Sequence, residues 1–316
     1  MAEDLLSYRM QKPFEITVLG TSSATPTRDR NPSAQHVRLD KHYFLLDCGE
    51  ATQLQLTKYN LKMQKIKFIL ISHLHGDHYF GLPGLITSMA LFGRVDPLYI
   101  VCPEQLKSIL DIILTIGDAG INFQIHYIFT NPDAPKLVHS EEDFAIHSVP
   151  LKHRIPCTGF VIEEKGPERK INVEACENYN IPVSFYESLK FGNDFKGESG
   201  ILIANELLTV NGNKNRKFAY ISDTIYDESI IPYIENVTLL YHESTFLHDR
   251  LKRAEETFHT TSLQAGMIAK LAKVKNLIIG HYSARYDNLE PLLLEARKNH
   301  LETYLALEGE VFQLNS

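Results

Sequence analysis

The run Ser72-His73-Leu74-His75-Gly76-Asp77-His78 sets three imidazoles and a carboxylate within six residues. It follows 67–72, whose nearly continuous apolar stretch Phe68-Ile69-Leu70-Ile71 is the pattern of a strand buried on both faces. On extended chain a His-x-His spacing puts two rings on one side. Asp77 and His78 then turn the corner and can face a second point. Four such groups brought together without a partner would carry a large desolvation cost, which a cation removes. Imidazole and carboxylate without thiolate suit zinc, and manganese or iron fit the same donors.

Six residues cannot hold two ions, so further ligands are expected at other strand ends. His153 follows an alternating strand at 143–150, Asp223 ends one at 218–222, and His281 ends an apolar one at 276–280. Singly, each reads as an ordinary polar cap. In that order after His73–His78, they read as metal ligands.

The elements that must position them alternate along the chain. Strands are expected at 14–19, 35–39, 43–47, 98–101, 124–129, 157–163 and 238–242, besides those above. Helices are expected at 50–59, 80–92, 104–116, 262–272 and 289–299. This order suggests two packed sheets with helices outside. The stretch 165–196 breaks the rhythm with polar residues, turns at 166–167 and 192–193, and one helical piece at 173–179. It reads as an arm inserted into a single domain spanning 1–316. Its five Lys/Arg are matched by five Asp/Glu, so it is no basic clamp.

Composition narrows the function. The 316 residues are 44% hydrophobic and 22% charged, an ordinary globular balance. The net charge of −7 argues against a protein that coats nucleic acid, because phosphate neutralisation dominates such binding. An RNA substrate would have to be met by a local patch or by metal ions. Residues 1–13 lack the apolar run of a signal peptide, and no stretch of about 18 apolar residues indicates a membrane span. Four cysteines, far apart and without a Cys-x-x-Cys pair, read as reduced thiols of a cytoplasmic protein.

His73-x-His75-x-Asp77-His78, followed by His153, Asp223 and His281, resembles the metallo-β-lactamase superfamily. The resemblance implies an α/β fold, an αββα sandwich of two mixed sheets flanked by helices, with two Zn2+ per chain at the sheet edges. It assigns His73, His75 and His153 to one ion and Asp77, His78 and His281 to the other, with Asp223 bridging. Asp47, in Leu45-Leu46-Asp47-Cys48-Gly49, matches the aspartate that supports such a site from behind.

Other segments resemble the tRNase Z family. Leu19-Gly20-Thr21 followed by Pro26-Thr27-Arg28-Asp29-Arg30-Asn31 is similar to its PxKxRN loop, with Arg28 in place of lysine. Asp47-Cys48-Gly49-Glu50-Ala51-Thr52-Gln53 resembles DCGEGTQ, with alanine for the second glycine. Ser222-Asp223-Thr224, His242-Glu243-Ser244-Thr245, His259-Thr260-Thr261 and His281-Tyr282-Ser283-Ala284-Arg285-Tyr286 resemble its later motifs, in the family's order. One departure lies in the arm, where Ile181-Pro182-Val183-Ser184-Phe185 replaces a Gly-Pro-rich motif.

The resemblance implies a homodimer that removes the 3′ trailer of precursor tRNA, one subunit's arm presenting RNA to the other's site. Two metal ions would activate water and clamp the scissile phosphate. Asp77 would orient the nucleophile, and His259, activated by Glu243, would give the leaving 3′ oxygen its proton. Arg28, Arg30, Asn31, Ser283 and Arg285 are the candidates for substrate contact. A related hydrolase acting on small phosphodiesters or aryl sulfates is the competing enzyme reading. A catalytically silent RNA-binding scaffold is disfavoured, since no ligand position is missing.

Overall fold

The computed structural model describes residues 12–116, 120–166, 169–197, 200–212 and 215–315. The stretch 1–11 and the arm's Pro167 and Glu168 therefore lie outside the described residues.

The first sheet contains β1 (Phe14–Gly20), β2 (Ala34–Leu39), β3 (His42–Leu46), β4 (Phe68–Leu70), β5 (Leu98–Cys102) and β6 (Ile125–Phe129). A last strand, β18 (Val311–Gln313), joins it beside β1. β1, β2 and β3 run antiparallel, and β3 to β6 run parallel. The second sheet contains β7 (Lys136–Ser140), β8 (Phe144–Leu151), β9 (Cys157–Glu164), β14 (Lys217–Ile221), β15 (Leu239–Glu243), β16 (Asn276–Gly280) and β17 (Thr303–Leu305). It is mixed as well, antiparallel from β7 to β14 and parallel beyond.

Period-two alternation sorts the side chains. Phe44, Leu46, Phe68 and Leu70 meet Phe144, Phe160, Phe218 and Tyr220 between the sheets. The opposite faces are apolar too, so helices cover them. α1 (Thr52–Lys58), α3 (Leu82–Leu91) and α4 (Gln105–Ile116) pack on Leu45, Ile69 and Ile100 of the first sheet. α10 (Ser262–Leu271) and α11 (Glu290–Arg297) pack on Ala219, Leu240 and Ile279 of the second. The result is the αββα sandwich, with both strand faces buried as the apolar runs required.

The helix expected at 80–92 begins differently. A four-residue turn of helix, α2 (Gly76–Tyr79), precedes α3, and Gly81 sits between them. A Cβ at Gly81 would lie 2.1 Å from the carbonyl oxygen of Gly49, so only glycine lets the chain pass there. The three-residue strands β17 and β18 were not anticipated, because they are too short to show a period.

The arm leaves β9 and returns to β14, which are antiparallel neighbours. It extends further than the expected 165–196. Arg169–Ile171 (β10) pairs with Thr209–Asn211 (β13), and Phe195–Lys196 (β11) pairs with Leu202–Ile203 (β12). Between them lie α5 (Val173–Asn178), α6 (Tyr186–Lys190) and α7 (Asn205–Leu208). Cys176, Ile181, Leu189 and Leu208 give the arm a small core of its own. At its root the buried Arg216 grips Glu164 through two contacts of 2.8 and 2.6 Å.

α10 and α11 approach so closely that a Cβ on Gly266 would fall 2.3 Å from the carbonyl oxygen of Ala296. Gly266→Ala is expected to lower folding stability by roughly 1–3 kcal/mol, as overpacking does, with the metal centre untouched. Chemical denaturation measures this, and an unchanged midpoint would show that the two helices have room to separate.

Candidate metal centre

All the candidate ligands lie at one end of the sandwich. Ser72 and His73 follow β4, and Asp77 and His78 are carried by α2. His153 stands two residues past β8, Asp223 two past β14, and His281 directly after β16. In the second sheet's order β16-β15-β14-β9-β8 the strands β8, β14 and β16 run the same way, so His153, Asp223 and His281 leave one edge.

The ligand atoms form two sets. His75 Nδ1 lies 3.0 Å from His73 Nε2 and 3.1 Å from His153 Nε2. Asp223 Oδ2 completes that set at 3.6 Å from His73 Nε2 and 3.7 Å from His153 Nε2. In the other set, Asp77 Oδ2 lies 3.4 Å from His78 Nε2 and 3.5 Å from His281 Nε2. Asp223 Oδ1 is 3.4 and 3.2 Å from the same two nitrogens. The Asp223 carboxylate thus turns one oxygen to each set. A tetrahedral shell with bonds of about 2.0–2.1 Å has ligand-to-ligand edges of about 3.3 Å, which these separations approach.

Burial tests whether the residues fit a metal ion. His78 Nε2 and His281 Nε2 are fully buried and have no hydrogen-bond partner. Buried polar atoms are nearly always satisfied, so two orphan nitrogens aimed at carboxylate oxygens fit a cation between them. Another His/Glu/Asp group, His42, Glu141 and Asp143, is drawn together at the far end of the sandwich. Lysines neutralise it there, Lys67 at 2.7 Å from Glu141 and Lys41 at 3.5 Å from Asp143.

Partners behind the rings determine which nitrogen faces forward. His78 Nδ1 is 2.7 Å from Asp47 Oδ2, His153 Nδ1 is 3.0 Å from the Phe258 carbonyl, and His73 Nδ1 is 3.0 Å from Ser72 Oγ. A nitrogen that donates there carries its hydrogen there, which leaves Nε2 as a lone pair. Asp47 is saturated. It also accepts from the Ser72 backbone at 2.7 Å, from Ser72 Oγ at 2.9 Å and from Tyr220 OH at 2.7 Å.

The backbone is held in unusual conformations around the centre. Ala24, Asp47, Ala51, Phe258 and His281 all have positive φ, between 54° and 64°. For residues with a Cβ this region is unfavourable, so surrounding contacts must impose it. Ala51 occupies the position where the family pattern has glycine.

Charge follows from packing. Burial alone would raise the pKa of Asp77 and Asp223, but the adjacent imidazoles hold both well below the carboxylate range. Burial likewise lowers His73. His259 behaves differently. Its Nδ1 lies 2.9 Å from Glu243 Oε1, and although burial opposes protonation, that carboxylate raises its pKa to about 9. A cation held nearby acts in the opposite sense. Glu243 is fully buried and also accepts from the Thr224 backbone at 3.0 Å and from Thr245 Oγ1 at 2.6 Å. A nitrogen of His259 lies within 4.8 Å of ligand atoms of Asp223 and His281.

The candidate substrate residues divide. Arg28 is exposed, but Arg30 and Asn31 are committed to the body. Arg30 donates to the Tyr286 carbonyl at 2.8 Å, and Asn31 Nδ2 donates to Glu308 Oε2 at 2.8 Å. These two side chains brace the loop. Arg285 is exposed, donates to Ser283 Oγ at 2.9 Å and lies 5.1 Å over the Phe246 ring. Tyr220, Thr245 and the Phe258 carbonyl escaped the sequence reading. Two of them are side chains indistinguishable from ordinary strand or turn residues, and a carbonyl leaves no mark in sequence. The start of α10 was legible: Thr261 and Gln264 form a capping box, the Thr-x-x-Gln signal.

Comparison with known proteins gives this geometry a family. A model described as the anti-Pycsar protein Apyc1 matches residues 14–166. Ribonuclease Z of Parabacteroides distasonis is 43% identical over 296 residues, covering 94% of this chain and 97% of that one. The chain belongs to the ribonuclease Z family. Ribonuclease Z of Bacteroides thetaiotaomicron is 40% identical, with 96% of each chain covered. The short form of human tRNase Z superposes with a TM-score of 0.70 at 25% identity, over 96% of this chain and all of that one. The match to ribonuclease Z spans the arm as well as the sandwich.

In this ribonuclease Z family member Asp223 is, among the described residues, the carboxylate that faces both ligand sets. Asp223→Ala is therefore expected to lose more bound metal than His75→Ala or Asp77→Ala. Metal analysis of the purified variants measures it, and equal losses would show that the carboxylate is not shared.

Proposed function

We propose that this chain is the endoribonuclease that cuts the 3′ trailer from precursor tRNA and leaves a 3′-hydroxyl. It works with two zinc ions per chain, as a cytoplasmic homodimer, each subunit one domain carrying an arm. The observation that carries the reading is the pair of ligand sets sharing Asp223, with the His259–Glu243 pair beside them. Membership of the ribonuclease Z family supplies the substrate class. Four buried free cysteines fit a reducing compartment, and no helix among the described residues is long and apolar enough to cross a membrane.

His73, His75 and His153 would hold one ion, and Asp77, His78 and His281 the other, with Asp223 between them. Two such ions supply an activated water and offset charge on the phosphate, so an acidic chain can act on RNA. Around them the protein groups divide the work. Asp77 accepts the Ala24 backbone N–H at 2.7 Å, which fixes its carboxylate and ties the loop after β1 to the reacting centre. As water adds to phosphorus and the bond to the 3′ oxygen breaks, that oxygen needs a proton. His259 binds Glu243 through Nδ1, so Nε2 is the nitrogen left to deliver it. Arg28 and Arg285, both exposed, are the cations assigned here to the RNA backbone.

The test pairs a precursor tRNA bearing a 3′ trailer with a small nitrophenyl phosphodiester. Cleavage of the small ester alone would turn the assignment toward the small-substrate hydrolases, and inactivity on both toward a silent scaffold. His259→Ala should lower kcat on precursor tRNA by roughly 10²–10⁴, the usual worth of a general acid. Its deficit should shrink on the nitrophenyl ester, whose leaving group departs without a proton, and its metal content should match wild type. Because the Glu243 carboxylate raises the pKa of His259, Glu243→Gln should move the alkaline limb of the rate profile to lower pH. An undiminished defect on the nitrophenyl ester removes His259 from this role.

The arm makes a separate prediction. Its roots are neighbouring antiparallel strands, so a short turn can replace 166–212. That variant should lose cleavage of whole precursor tRNA while hydrolysing the small ester near the wild-type rate. Equal loss on both substrates would show that the arm supports the fold instead.

A further inference from the structure

One hydroxyl joins the proton-donor pair to the candidate metal centre. Thr245 Oγ1 lies 2.6 Å from Glu243 Oε2, 3.0 Å from His281 Nδ1 and 3.3 Å from His259 Nδ1. The His281 carbonyl oxygen is also 3.0 Å away. A threonine hydroxyl has one hydrogen and two lone pairs. Its shortest contact is to a carboxylate, which accepts more strongly than a carbonyl, so the hydrogen goes to Glu243. Oγ1 is then an acceptor toward the rings. His281 must carry its own hydrogen on Nδ1 and donate it to Thr245. Its Nε2, buried and without a partner, remains as a lone pair facing Asp77 and Asp223.

The other three buried rings are oriented from groups that have no part in proton donation: Asp47, Ser72 and the Phe258 carbonyl. His281 differs, because the group behind it also grips Glu243. We propose that Thr245 is a positioning residue whose hydroxyl sets the nitrogen that His281 offers to a metal ion and couples that ion to the His259–Glu243 pair. An ion drawing on the Nε2 lone pair makes the Nδ1–H a stronger donor. Hydrogen bonds in a chain polarise one another, so Thr245 in turn donates more strongly to Glu243. Occupancy of the Asp77, His78 and His281 set thereby firms the carboxylate that holds His259. The inference rests on the two-metal reading above.

Thr245→Val keeps the shape of the side chain and removes the hydroxyl, whereas Thr245→Ser keeps the hydroxyl and removes the methyl. On the full chain, stepwise zinc affinities are read by competition with a chelator of known affinity. Rates are then taken at saturating zinc on precursor tRNA and on the nitrophenyl phosphodiester. Thr245→Val should weaken one of the two zinc sites about 10–100-fold and leave the other at its wild-type affinity, as loss of a group supporting a ligand does. Its remaining rate defect should fall on precursor tRNA more than on the small ester. Thr245→Ser should restore both measures. Wild-type affinities in Thr245→Val, or a serine variant as weak as the valine one, would overturn the role of the hydroxyl. A wild-type protein that binds a single zinc ion would instead sink the two-metal reading, whatever the variants do.

Discussion

The Asp47 carboxylate is where the two sheets and the candidate metal centre meet. It stands just past β3 and accepts from Ser72, just past β4, from His78 on α2, and from the phenol of Tyr220 on β14 of the other sheet. A charged group this deeply buried is costly unless it is hydrogen-bonded, and here four donors reach it, one at Oδ1 and three at Oδ2. Remove the carboxylate and His78 loses the partner that fixes its tautomer, Ser72 loses its anchor, and Tyr220 is left as an unsatisfied buried phenol. The sheets would still pack through Phe44, Phe68, Phe160 and Phe218. Their ends would no longer be held in register to within the tenths of an ångström that ligand geometry demands.

That register is obtained at a cost in backbone strain, concentrated around the site. Asp47 and His281 are themselves in the left-handed region, as are Ala24, which donates to Asp77, and Phe258, whose carbonyl holds His153. Asp47 and His281 are needed there for their side chains, whereas Ala24 and Phe258 serve through a backbone N–H and a carbonyl. The methyl of Ala51, at the start of α1, serves nothing in the site.

How much was legible in the sequence follows from the range of each signal. His73, His75, Asp77 and His78 announce themselves because one strand and one turn place them together. His153, Asp223 and His281 were legible as strand ends, since the apolar pattern stops just before each. Tyr220 was not, because a tyrosine in an alternating strand looks like core, and only sheet pairing reveals that its hydroxyl reaches Asp47. Arg30 and Asn31 look like free loop cations and amides until the C-terminal segment, with Glu308 and Tyr286, is folded against them. The arm's far boundary was hidden for a related reason: β13 has three residues, and its pairing with β10 is a tertiary fact.

The division of the ligands between the sheets bears on synthesis. The first sheet's segment, translated first, carries His73, His75, Asp77 and His78, while His153, Asp223 and His281 come from strands made later. The first-made segment holds three of the five candidate rings and lacks Asp223, the carboxylate that faces both sets. The His73, His75, His153 and Asp223 set is complete once β14 is in place, whereas the Asp77, His78 and His281 set waits for β16 to dock between β15 and β17. A chain that stops short of β16 therefore carries one candidate set complete and the other without its second ring.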